Sequence, residues 1–198
     1  MASLIELLVV LISSFGFNLI PFAGPSNLFI ASNFALILGL GDPFTLVTVG
    51  FLVALGATLA KSIHYLVTFF ISKHLSEKQR QHLDAEALKA KRWAFLLLFV
   101  AAATPIPDEP VVIPLGFLKY SPLKFFSAFL LGKLSITVAG AFLGSWVKNT
   151  FSEWFSPETM IVLSIGLTII VMLILLKADI GKLAERFLKR KTGTCEYA

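Results

Sequence analysis

The sequence predicts an all-α polytopic membrane protein: an inverted repeat of two re-entrant hairpins, each followed by a transmembrane helix, with flanking N- and C-terminal transmembrane helices. Hydrophobic residues make up 57% of the 198 residues and charged residues 15%, and mean hydropathy is +0.84. Soluble domains are only about 45–50% apolar. Proline-rich polar breaks interrupt two apolar stretches, at 21–27 and 104–114. In hydrocarbon such a break is tolerated only where it is buried in protein or lines a wet cavity.

The first half of the chain is predicted to contain a helix, a hairpin and a second helix. Residues 3–20 are just long enough to form a transmembrane helix. The next apolar run is too short to span and is bracketed by glycines, so 21–43 is predicted as re-entrant hairpin 1. Residues 44–72 form the next transmembrane helix, with small residues that allow close helix contact.

The second half repeats this plan within what we treat as one membrane domain. The polar stretch 73–92 predicts a cytoplasmic basic helix, and the short apolar runs of 93–121 predict re-entrant hairpin 2. A transmembrane helix follows at 122–147. A final transmembrane helix is predicted at 159–176 and a basic cytoplasmic tail at 177–198.

Charge predicts the orientation of these segments. The positive-inside rule places the basic clusters at 73–92 and 177–191 in the cytoplasm, and we expect both termini there as well. The segments left outside then hold one basic residue, Lys148. Because each short apolar run must return to its own side, the two hairpins dip from opposite faces. Opposed broken segments are typical of transporters, whose substrate site lies near the midplane.

An adjacent acidic pair, Asp108 and Glu109, lies between Pro107 and Pro110 at the predicted tip of hairpin 2. Carboxylates inside a membrane are energetically costly and indicate function by default. We expect a counter-ion or proton-coupling role. The alternative is a shallow hairpin in which the pair is a solvated turn at the cytoplasmic surface.

Two lysines are the natural partners of these acids. Lys133 lies near the middle of its transmembrane helix, so we expect it to pair with Asp108 or Glu109. Lys61 and His64 are one turn apart in the inner half of the preceding transmembrane helix. They are candidates for the same site, although snorkelling to the cytoplasmic interface explains them equally well.

Neutral polar residues mark the break in hairpin 1. Ser26 and Asn27 can hydrogen-bond a phosphate, and the positive end of a helix that begins near Ser26 favours an anion. Helix capping and packing alone are the alternative.

Other chemistries lack sequence support. A phosphate-binding Gly-Lys-Ser/Thr loop, a His-Glu-x-x-His zinc helix and a nucleophile elbow are all missing from the sequence, so we expect no enzyme, cofactor or metal site. The single cysteine, Cys195, excludes an internal disulfide. We assign the net charge of +5 to the cytoplasmic flanks and expect no nucleic-acid partner.

Two motifs resemble the DedA family, also called the VTT or SNARE-associated family. They are Pro-x-x-x-Pro-Ser-Asn at 21–27 and Ala-Thr-Pro-Ile-Pro-Asp-Glu-Pro-Val-x-x-Pro-Leu-Gly-Phe-Leu-Lys-Tyr-Ser-Pro at 103–122. The resemblance implies two opposed re-entrant hairpins and the flipping or scrambling of phospholipids or polyprenyl-phosphate lipids, in some members with proton dependence. Family members usually carry an acid where this sequence has Asn27, and arginines where it has Ala102 and Asp108.

The predicted function is therefore a DedA-type lipid transporter in a prokaryotic cell membrane. Its expected partners are membrane lipids, with protons or another cation as the coupling ion. The sequence is compatible with a monomer and with a homo-oligomer. The alternatives are a small-solute or ion transporter and a non-transporting membrane scaffold.

Overall fold

The computed structural model describes residues 3–21, 24–38, 41–72, 93–105 and 108–156, with separate positions between 158 and 170. This described part consists of helices and turns and contains no strand. Its continuous helices are α1 (Leu4–Leu19), α2 (Asn27–Ile37), α3 (Pro43–Ile71), α4 (Trp93–Ala102), α5 (Glu109–Phe117) and α6 (Pro122–Phe151). The predicted basic helix at 73–92, the tail at 177–198 and most of the last transmembrane helix at 159–176 lie outside the described residues.

The two long helices, α3 and α6, form the centre of the fold. Within the described ranges, they are the helices long and apolar enough to cross a membrane, judged by length and composition. Each begins with proline at its first position, where the missing backbone N–H costs nothing. Asp42 caps α3 by accepting a bond from the Thr45 N–H, and this bond and that of the Thr45 hydroxyl hold the pKa of the Asp42 carboxyl below its ordinary value.

Helices α3 and α6 run antiparallel in direct contact. Near the start of α3, Gly50 lies so close to α6 that an added Cβ would be 2.8 Å from Val138 Cα. Near the end of α3, Tyr65 stacks on Phe125, which belongs to the first turn of α6, with ring centroids 4.3 Å apart. The early part of each helix therefore meets the late part of the other.

Helix α1 packs along α3 in the same direction. The Ser14 hydroxyl donates to the Val53 carbonyl over 2.8 Å, and His64 Nε2 lies 3.0 Å from the Leu19 carbonyl at the far end of α1. Positions later in α1 thus meet positions later in α3. The start of α1 lies beside the start of α3, where Val10 is buried in a cluster with Leu46.

This direction corrects the predicted arrangement. A transmembrane helix at 3–20 followed by a hairpin confined to 21–43 requires α1 to run antiparallel to α3. The observed parallel packing makes α1 and α2 the two arms of the first hairpin, with the proline-rich break at its tip. The physical reason is packing, because the contacts of Ser14 with Val53 and of Leu19 with His64 set the direction of α1, and these contacts are not visible in the length of the apolar window.

Helix α2 packs along α6, again in the same direction. An added Cβ at Gly140 would lie 3.1 Å from Leu28 Cα, and one at Gly144 would lie 2.8 Å from Ser32 Cα. Small residues on α6 thus let the α2 backbone approach closely. The first hairpin therefore contacts both long helices, α3 through α1 and α6 through α2.

Helices α4 and α5 pack on the same two long helices, but here the first helix, α4, contacts α6 and the second, α5, contacts α3. The end of α4 lies on α6, where an added Cβ at Gly132 would be 2.7 Å from Ala102 Cβ. Helix α5 runs parallel to α3: Glu109 contacts Lys61, and seven residues later Gly116 lies against Thr68. The second hairpin thus contacts the same two helices from the other end.

Candidate functional site

The break between α4 and α5 brings two carboxylates into the interior. Asp108 is the N-cap residue of α5, and Glu109 is its first helical residue. Their residues are 4% and 3% exposed. The acidic pair is therefore buried against α3 and α6, and the alternative of a solvated turn does not describe it.

Each carboxylate forms an ion pair with a lysine from a different long helix. Lys133 Nζ of α6 lies 2.8 Å from Asp108 Oδ2, and Lys61 of α3 contacts Glu109 directly. We call these four residues the charge cluster. Lys133 Nζ also lies 5.2 Å from the centroid of the Phe129 ring, at cation–π distance. With two acids and two lysines, the charge cluster is formally neutral.

The charge cluster lies deep along both long helices. Lys61 is ten residues before Ile71, and Lys133 is eleven residues after Pro122, which corresponds to about 15 Å of helix rise in each case. Half the thickness of a bilayer's hydrocarbon core is also about 15 Å. Lys61 is 4% exposed, so its ammonium group does not snorkel to the helix end.

One carboxylate oxygen of the charge cluster makes no hydrogen bond to the described residues. Asp108 Oδ1 is buried and has no hydrogen-bond partner within the described ranges. A carboxylate oxygen accepts hydrogen bonds only, and leaving a charged acceptor buried without a donor costs more than about 1–3 kcal/mol. The charge cluster therefore has unused capacity to accept a hydrogen bond.

In the first hairpin, formed by α1 and α2, an amide pair lies beside the break between the two helices. Asn18 Nδ2 donates to Asn27 Oδ1 over 2.8 Å, and Asn27 Nδ2 donates back to Asn18 Oδ1 over 2.9 Å. Asn18 also donates to the Ser14 carbonyl. Both Asn18 and Asn27 are 5% exposed. The amide pair therefore joins α1 to the start of α2.

Sequence reasoning missed Asn18 and Ser14. Both lie on an apolar helix, and their spacing of one turn was the available signal. Ser26, in contrast, is not used as a cap: α2 begins without a side-chain cap bond, and Ser26 Oγ is buried with no partner in the part of the chain that the structure describes.

His64 is placed away from the ion pairs at the end of hairpin 1's first arm. Its Nε2 is 3.0 Å from the Leu19 carbonyl, and the residue is partly buried. The structure thus brings Asp108, Glu109, Lys61 and Lys133 together, whereas His64 contacts α1.

The starts of α2 and α5 lie along one face of α6. Lys133 holds Asp108 at the start of α5, Thr137 donates to the Gly50 carbonyl, and Gly140 lies against Leu28 at the start of α2. These α6 positions recur at intervals of four and three residues, so they share a face. Because Lys133 and Gly140 are seven residues apart, the two helix N-termini are separated by about 10 Å along α6.

Comparison with known families supports the resemblance seen in the sequence motifs. The family model of the VTT domain matches residues 25–146. The chain belongs to the VTT-domain family. Neither curated proteins nor solved structures gave a significant match. The match to the VTT domain runs from just before α2 to near the end of α6 and so includes Ser26, Asn27 and the whole charge cluster. Membership in this family of DedA-type membrane proteins agrees with the two long apolar helices.

Proposed function

We propose that this VTT-domain protein moves a phospholipid or polyprenyl-phosphate lipid between the leaflets of a membrane. The observation that carries the proposal is the charge cluster. Four ionisable groups about 15 Å from the helix ends are energetically costly, and such groups in membrane helices mark substrate and ion pathways. A purely structural role favours apolar residues, since a buried ion pair stabilises a fold no better than well-packed hydrophobic side chains.

The proposal includes two re-entrant hairpins related as an inverted repeat. Its support is the exchange of partners: α1 lies on α3 as α4 lies on α6, and α2 lies on α6 as α5 lies on α3. With the basic stretch 73–92 in the cytoplasm, the second hairpin dips from the cytoplasmic face and the first from outside. The start of α1 then lies outside, in place of the cytoplasmic position predicted from charge alone.

In this proposal the lipid headgroup crosses between the hairpin tips. The phosphate binds near Ser26, whose hydroxyl can donate, at the positive end of α2. Protonation of Glu109 would break its ion pair with Lys61, and Lys61 could then pair with the phosphate. Proton binding and lipid movement would be coupled in this way. The mostly apolar exposed faces of α1 and α4 suit contact with the acyl chains.

Reconstitution in liposomes tests this function. A fluorescent phospholipid and a labelled polyprenyl phosphate are followed between leaflets for the wild type and for the double variant D108N/E109Q. We expect the double variant to lose at least about tenfold of the rate, since charge-assisted bonds are each worth about 1.5–3 kcal/mol.

The matched control is E153Q/E158Q, which also removes two negative charges, but at exposed positions. It should translocate lipid at the wild-type rate. An unchanged rate in D108N/E109Q would overturn the proposed site. Flux of a small charged solute without lipid movement would instead support a solute transporter.

A further inference from the structure

Asp108 presents a buried hydrogen-bond acceptor that no group among the described residues uses. Its Oδ2 is bound to Lys133, while Oδ1 has no partner within the described residues, although the residue is only 4% exposed. A carboxylate can accept several hydrogen bonds, and a buried one normally does. The chemical group that completes this site must therefore be a donor.

An anion does not meet this requirement. Phosphate oxygens at neutral pH are acceptors and would face Asp108 Oδ1 with like charge. The N-terminus of α5, which would otherwise attract an anion, already carries the two carboxylates of Asp108 and Glu109. Both lysines of the charge cluster are engaged in ion pairs. A phosphate could bind here only after an existing ion pair is broken.

We propose that Asp108 Oδ1 accepts a hydrogen bond from a primary ammonium group, and that this group belongs to the headgroup of an aminophospholipid. The inference rests on the proposed function, and it selects among the lipids considered there. An ammonium group supplies three donors and a positive charge, which match an unpaired anionic oxygen. A quaternary ammonium has the same charge but no N–H to donate.

The position of the second hairpin tip fits a zwitterionic headgroup. Ser26 Oγ, proposed above as the phosphate contact, lies at the start of α2, and Asp108 lies at the start of α5. Both helix starts contact the same face of α6, about 10 Å apart along its axis. A phosphate and an ammonium joined by a short linker thus meet groups of the matching kind.

Headgroup preference in proteoliposomes tests the inference. Acyl-labelled phosphatidylethanolamine and phosphatidylcholine carry the same headgroup charges, but only phosphatidylethanolamine has N–H donors on its ammonium group. The wild type should move phosphatidylethanolamine about tenfold faster. The paired variant D108N/K133M replaces the anionic acceptor with a neutral amide oxygen and leaves no unpaired lysine, so it should lose this preference. The matched variant K61M/E109Q, which removes the other ion pair, should keep the ratio of the two rates whatever its total rate.

A binding measurement separates this inference from the proposed function. Glycerophosphoethanolamine should raise the Tm of the purified full chain more than glycerophosphocholine does, and D108N/K133M should abolish the difference. If lipid moves without headgroup preference and neither compound shifts the Tm, the inference fails while the function stands. If no lipid moves but the Tm difference persists, the function fails and the ammonium site stands. An equal shift with free ethanolamine would overturn the lipid as its source.

Discussion

At the level of single residues, the ion pairs of the charge cluster determine how strongly a substitution of one of their members destabilises the protein. Lys133 and Asp108 lie 2.8 Å apart and are 3% and 4% exposed. In such surroundings each charge depends on the other, because a lone buried charge has lost its water without compensation. Removing one partner should therefore be far more harmful than removing both.

A double-mutant cycle checks this dependence. K133M alone should destabilise the protein by about 3–5 kcal/mol, because it leaves Asp108 buried without its cation. D108N/K133M should recover most of that loss. Unfolding in detergent, followed by tryptophan fluorescence, measures the four members of the cycle. A loss in the double variant equal to the sum of the two single losses would show that the two side chains do not depend on each other.

At the scale of helices, close backbone contact on α6 positions α2 and hence the tip of hairpin 1. Gly140 has no room for a side chain, since an added Cβ would lie 3.1 Å from both Leu28 Cα and its carbonyl carbon. These are backbone atoms, which cannot rotate away as a side chain would. Gly16 on α1 has nothing within 4 Å of an added Cβ.

The two glycines provide a matched pair of substitutions. Gly140→Ala should destabilise the protein by about 1–3 kcal/mol through overpacking. Gly16→Ala, at a helix position with free space, should stabilise it by about 0.5–1 kcal/mol. Thermal unfolding of the two variants beside the wild type measures both effects. A stable Gly140→Ala variant would mean that α2 does not pack this closely on α6.

At the scale of the whole molecule, sequence reasoning located the two breaks and the acidic pair, but not the direction of α1. Prolines mark helix breaks directly in the sequence. A lysine in the middle of an apolar helix has few possible partners, so Lys133 could be expected near Asp108. The direction of α1 depends on its contacts with α3. The 18-residue window 3–20 suits a crossing helix and a hairpin arm equally well. The amide pair of Asn18 and Asn27 likewise appears only when α1 and α2 are brought together.

Cysteine labelling tests the corrected arrangement. Three exposed serines are changed singly to cysteine in a Cys195→Ser background: Ser3, Ser121 and Ser156. Because α1 starts beside the start of α3, and α6 ends there, Ser3 and Ser156 should react with an impermeant maleimide from one side of the membrane. Ser121, at the other end of α6, should react from the opposite side. Reaction of the Ser3→Cys and Ser121→Cys variants from the same side of the membrane would show that α1 crosses the membrane.

A fully neutral variant shows whether the charge cluster is the site of lipid translocation. K61M/D108N/E109Q/K133M removes both ion pairs at once and leaves no unpaired charge, so the fold should survive with wild-type-like stability. Lipid translocation by this variant in proteoliposomes is the deciding measurement. We predict a folded protein whose translocation rate falls to that of protein-free liposomes. A folded variant that moves lipid at the wild-type rate would show that lipid translocation does not depend on the charge cluster.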